Sequence, residues 1–120
     1  MAENWHFEIT FCESVLRQQP LDADVMEMLA GYYTKAGRID DGLELDHRLV
    51  ELCPDNATHH YNLACSLALK GRKDDAVERL RLALQKGYSD YEWMLRDEDL
   101  QTLQGFPPFV NLLAEFEIRR

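Results

Sequence analysis

Basic side chains are scarce in this chain of 120 residues. Against 22 Asp and Glu it carries 13 Lys and Arg, a formal charge of −9 with a pI near 4.8. A protein that grips nucleic acid through its phosphates needs a concentrated basic face to displace counterions, so that class is not expected. A partner with a basic surface is easier to accommodate. Cysteine is thin too: Cys12, Cys53 and Cys65 are odd in number and form no CxxC pair. That disfavours a disulfide framework or zinc site and fits reduced, mostly buried thiols. No apolar run approaches the ~18 to 20 residues of a membrane span, and Met1-Ala2-Glu3-Asn4 lacks the basic flank and apolar stretch of a secretory leader. The expected location is cytoplasmic, with neither membrane nor nucleic acid as partner. What is present, 46% hydrophobic residues including five Phe, five Tyr and two Trp, suffices for the core of one domain.

The chain repeats itself at a spacing of 34 residues. Pro20 falls on Pro54, Asp22 on Asn56, Leu29-Ala30 on Leu63-Ala64, Gly37-Arg38 on Gly71-Arg72, and Asp40-Asp41 on Asp74-Asp75. A fixed period of this length marks stacked supersecondary units, each unable to bury its apolar face alone. Within a unit the pattern is helix, turn, helix. Met26, Leu29, Ala30 and Tyr33 recur at helical steps, as do His60, Leu63, Ala64 and Leu67. Gly37 and Gly71 stand where a helix ends in a left-handed residue, and the following Asp pairs suit the positive start of the next helix. The second helices carry Leu43, Leu45, Leu49, Val50 and Leu52, then Val77, Leu80, Ala83 and Leu84. Asp22, Asn56 and Asp90, one period apart, are expected to cap the first helices.

These residues resemble the tetratricopeptide repeat family, most closely through His60, Leu63, Ala64, Leu67, Gly71, Ala76, Leu80 and Ala83. Met26, Leu29, Ala30, Tyr33, Gly37, Gly42 and Pro54 carry the preceding unit, which departs from the family with Asp46 and Leu49. Asp46 is expected to face solvent at a loosened end, with a polar contact as the alternative. Asp99-Leu100, Leu103, Pro107, Phe109 and Leu112-Leu113 resemble the closing segment that many bacterial members place after their last repeat, which implies a bacterial source. The resemblance implies an all-α fold, a short right-handed α-solenoid of antiparallel helix-turn-helix repeats with about seven helices. A single domain, 1–120, then comprises an N-terminal capping helix (5–19), repeats at 23–54 and 57–88, and divergent closing helices (89–118). In that last part Tyr91, Trp93, Met94 and Leu95 start a helix, and Tyr91 and Trp93 are expected in the core, with a place in the groove as the alternative.

The family implies a concave groove lined by the first helix of each unit. The groove would present Asp24, Glu27, Gly31 and Lys35, then Thr58, Tyr61, Asn62, Cys65 and Leu69, then Glu92, Arg96 and Asp99. The expected partner-binding residues are Glu27, Lys35, Thr58, Tyr61, Asn62, Cys65, Leu69, Glu92 and Arg96. A known family device grips acidic chaperone tails with lysines, an arginine and asparagines. Asn62 and Arg96 match it, but Glu27 and Glu92 replace lysines and Gly31 replaces an asparagine, so an acidic tail is not the expected ligand.

Other constellations have plainer explanations. Asp97-Glu98-Asp99 lacks the turning glycine and spread of oxygen ligands of a hard-cation loop and is expected to be a capped, solvated helix start. Adjacent helical residues such as His59 and His60 point about 100° apart and do not converge on one ion. His60 is expected between helices and His59 at the surface. Gly105-Phe106-Pro107-Pro108-Phe109 is a helix stop followed by a proline-led helix. No GxSxG, P-loop, GxGxxG or local Cys–His signature appears, so no catalytic, cofactor or metal residue is assigned. The expectation is a non-enzymatic adaptor or assembly factor that binds a protein or peptide with a basic or apolar segment. The alternatives are a secretion-type chaperone for one cargo and a self-associating structural homodimer.

Overall fold

Three side chains one period apart start three helices. Asp22, Asn56 and Asp90 accept hydrogen bonds from the amides of Val25, His59 and Trp93 at 3.2, 3.1 and 3.2 Å. They thereby satisfy donors that have no partner inside α2 (Ala23–Lys35), α4 (Ala57–Leu69) and α6 (Tyr91–Arg96). The first two of these helices end alike. Gly37 and Gly71 adopt φ +81° and +79°, which lets the amides of Arg38 and Arg72 reach back to the carbonyls of Tyr33 and Leu67 at 2.8 and 2.9 Å. Each turn leads directly into the returning helix, α3 (Ile39–Leu52) or α5 (Lys73–Gln85), with an Asp pair in its first turn.

This computed structural model describes residues 4–120, which hold seven α-helices, one 3₁₀ helix and no strand. Helix α1 (His6–Gln18) packs on α2, α2 on α3, α3 on α4 and α4 on α5, the neighbour-to-neighbour order of a stack of helix pairs. Apolar residues gather in two clusters. One joins Ile9 and Cys12 of α1 to Met26, Leu29 and Leu49; the other runs from Val50 through Leu63 and Leu80 to Phe109 and Leu112.

The closing unit departs from the repeat. Helix α6 stops after six residues because Asp97 is extended (φ −64°, ψ 121°) and its side chain caps a new start by accepting from the amide of Asp99 at 3.0 Å. The 3₁₀ helix Glu98–Leu103 then buries Leu100 and Leu103 against α4. Gly105, at φ +78°, ends it, and α7 (Pro107–Glu115) packs on α5 with prolines in its first turn.

Several expectations need correction. His59 is buried, not at the surface, because α4 is enclosed by α3, α5 and the 3₁₀ helix. Its Nδ1 finds no partner among the described residues. His60 does lie between helices: the Pro54 carbonyl is 2.7 Å from Nε2, and Arg79 lies 3.3 Å from Nδ1. Since Arg79 can only donate and the carbonyl only accept, Nε2 carries the ring proton. Asp46 is also buried, at 4% exposure, and hydrogen-bonded. Tyr91 and Trp93 are exposed, not core, because the shortness of α6 leaves Met94 as its one buried residue.

Gly42 marks a close approach between α2 and α3. A Cβ there would fall 2.9 Å from Thr34 Oγ1 and 3.2 Å from the Ala30 carbonyl oxygen. One period on, the same two positions are Ala76 and Ala68, both buried, so the repeats fill this space as Thr with Gly or as Ala with Ala. Alanine gains up to ~1 kcal/mol of helix propensity over glycine, whereas overpacking costs ~1–3 kcal/mol. Gly42→Ala should therefore lower stability by roughly 1 kcal/mol, and adding Thr34→Ala should recover most of the loss. Urea unfolding checks both; a single variant more stable than the parent contradicts the packing argument.

Candidate functional site

The first helices of the units converge on one cavity of about 580 Å³. Helix α2 contributes Glu27, Gly31, Thr34 and Lys35 to its lining, and α3 contributes Asp46. Tyr61, Asn62, Cys65 and Ser66 come from the middle turns of α4; Trp93, Arg96 and the Asp97–Asp99 run come from the closing unit. Of the nine residues expected to bind a partner, the structure brings together Glu27, Lys35, Tyr61, Asn62, Cys65 and Arg96. It leaves out Thr58, Leu69 and Glu92. Thr58 and Leu69 sit exposed near opposite ends of α4, beyond the turns that line the cavity, and Glu92 is exposed on the first turn of the short α6. Asp24, on the first turn of α2, is also outside.

Hydrogen bonds tie the walls across the units. Asn62 Nδ2 donates to Glu27 Oε2 at 3.2 Å, linking α4 to α2. Tyr61 donates its hydroxyl to Asp97 Oδ2 at 2.6 Å and stacks on Tyr88, with ring centroids 4.2 Å apart and planes 3° from parallel. Tyr61 therefore acts mainly as a buried strut. Ser66 Oγ donates to Asp46 Oδ2 at 2.5 Å. Trp93, 46% exposed, offers an aromatic surface at the rim.

Carboxylates dominate this space, and burial makes their charge costly. Desolvation pushes the Asp46 carboxyl up to about 7; the Ser66 hydrogen bond opposes this, and nearby Glu27 adds to it. Asp99 is raised by its burial and by Asp97 and Glu98. The Cys65 thiol is raised well above its ordinary range, first by burial and then by Asp97 and Asp99, and this holds it protonated. Burial likewise raises the Tyr61 hydroxyl.

Sequence reasoning missed Asp46, Ser66, Asp97 and Glu98 as cavity residues, and Trp93 takes the groove place that was the alternative to the core. Asp46 alone left a signal, as a departure from the repeat. The acidic run is a capped helix start, as expected, but Asp97 is not solvated: at 8% exposure it is sealed under Tyr61 and Cys65. Cys65, Asp97 and Asp99 bring a sulfur and two carboxylate oxygens within 4.8 Å of one another, a cluster hidden by the distance between Cys65 and Asp97 in the chain. Its groups are already engaged. Cys65 Sγ donates to Asp97 Oδ2 at 3.6 Å, and Oδ1 accepts from the Asp99 amide. A protonated thiol is a poor metal ligand.

Fold and site define a short stack of antiparallel helix pairs with an acidic cavity lined mainly by their first helices. No family model matches the chain. It is similar to a chloroplastic protein of Arabidopsis thaliana, with 27% identity over 88 residues, 71% of this chain and 26% of that protein. The chain thus spans about a quarter of the length of that curated relative.

Asp46 generates a pH prediction. Its folded-state pKa lies above its unfolded value, so its contribution to stability is fully present below about pH 4 and is lost as pH rises through about 7. Asp46→Asn should be neutral or slightly destabilising at pH 4 and stabilising at pH 8, by on the order of 2 kcal/mol. Urea unfolding of both chains across this range checks it; a gap that does not grow with pH contradicts the assignment.

Proposed function

We propose that the chain is a protein-binding module of the tetratricopeptide type, an adaptor or assembly factor that receives an extended partner segment in the cavity between α2, α4 and the closing unit. The observation that carries this reading is the cavity itself. At about 580 Å³ it has the dimensions of a ligand site, and the first helix of each unit helps to line it. The 34-residue period, the three side-chain caps and the paired glycine turns support the family assignment. A cytoplasmic location and a bacterial source belong to the same reading. A chaperone that shields one cargo segment would use the same cavity.

Asn62, Trp93 and Arg96 are the residues to test, because Tyr61 is buried and its loss would disturb the fold. Affinity capture from native extract with the parent chain should retain one dominant partner at fixed stoichiometry. The Asn62→Ala, Trp93→Ala, Arg96→Ala triple variant should lose it while keeping its helical circular dichroism. Unchanged capture by a folded triple variant would place binding elsewhere.

Self-association is a second reading, favoured by the outer face of α1. Phe7 and Phe11 are 77% and 59% exposed and stack on each other at 6.4 Å between ring centroids. A second copy presenting the same pair would bury both. In that case light scattering shows a dimer that Phe7→Ser with Phe11→Ser converts to monomer; a parent chain that is monomeric at high concentration removes this reading.

A further inference from the structure

The Asp46–Ser66 pair is at odds with the repeat that surrounds it. One period on, the same two positions hold Leu80 and Leu100, both fully buried in the larger core cluster. Stacking therefore does not demand a polar pair here, and a buried carboxylate is a burden on the fold. Asp46 is more than nine-tenths buried yet lines the cavity. One of its oxygens accepts from Ser66, and the described residues offer the other no donor.

The charge around it is one-sided. Glu27, Asp97, Glu98 and Asp99 share the cavity with Asp46, and only Lys35 and Arg96 oppose them. Neither cation forms an ion pair among the described residues. Lys35 instead lies 4.9 Å from the ring centroid of Trp5, at the start of α1.

We infer that the cavity receives an arginine or lysine side chain from an extended segment of a protein partner, with Asp46, Glu27 and Asp99 as its anionic contacts and Trp93 beside it. This rests on the binding-module reading above and adds the chemistry of the partner. A guanidinium or ammonium group supplies the donor that Asp46 lacks and relieves the repulsion among the carboxylates. The exposed face of Trp93 suits a cation or its apolar stem. A metal ion at Cys65, Asp97 and Asp99 fits less well, since those groups already bond one another and Asp46 would remain unmatched.

Fluorescence anisotropy with the full chain at low salt and pH 8 tests this. The probes are four short labelled peptides of alanine alternating with arginine, citrulline, glutamate or leucine. The arginine peptide should bind about tenfold or more tightly than the rest, and more weakly as salt rises. Asp46→Asn with Asp99→Asn should weaken it about tenfold. Glu51→Gln with Asp74→Asn, which removes equal charge outside the cavity, should leave it within about twofold. Both cavity changes are isosteric; Glu27→Gln serves if that double variant does not fold.

Equal weakening by the two double variants overturns the inference, because long-range charge alone would then account for binding. Preference for the leucine or glutamate peptide, abolished by Trp93→Ala, overturns the cationic assignment but keeps the cavity as a protein site. No binding of any peptide rejects both. Displacement of the arginine peptide by zinc or calcium chloride from the parent chain, but not from Cys65→Ser, reassigns the site to a metal ion.

Discussion

Everything in this fold leans on α4. It is the one helix packed against α3, α5 and the 3₁₀ helix together, and residues 59–61 and 63–68 are all buried. A helix enclosed in this way cannot offer polar side chains to water, so each polar group on it must find a partner or carry a penalty. His60 finds Pro54 and Arg79, Tyr61 finds Asp97, and Ser66 finds Asp46. These bonds reach the preceding helix, the following helix and the closing unit. The polar groups of α4 thus hold the units in register while its leucines and alanines fill the core.

The same enclosure shapes the cavity. Because Asp46 and Ser66 stand where the next repeat has Leu80 and Leu100, and because Asp97 is drawn in under Tyr61, carboxylates end up lining this space. Burial and mutual repulsion raise Asp46 and Asp99. The site carries an unmet demand for positive charge at some expense to stability, as functional sites commonly do.

The parts of this structure that were legible in sequence are local. Asp22, Asn56 and Asp90 act within three residues of themselves, and Gly37 and Gly71 set a single backbone angle each, so side-chain chemistry was enough to place them. Gly105 and Pro107 punctuated the end for the same reason. The Asp46–Ser66 and Tyr61–Asp97 bonds join residues distant in sequence, and reading them required knowing which faces meet. His59 was misplaced for a related cause: its burial depends on how completely other elements surround α4, which no pattern on α4 itself records. Between core and groove, the core was the expected place of Trp93, but its helix is cut short by Asp97 and leaves the ring exposed at the cavity rim. In the cavity, Tyr61, Asn62 and Cys65 of α4 followed from the family resemblance, while Ser66 and the contribution of α3 did not.

The central claim is that the Asp46–Ser66 pair is kept for a ligand and not for the fold. The most direct test rebuilds it in the image of the next repeat, as Asp46→Leu with Ser66→Leu, and measures unfolding free energy and arginine-peptide affinity on the same sample. The account predicts a chain at least as stable as the parent at neutral pH that has lost peptide binding. A less stable chain that binds the peptide as well as the parent would contradict it.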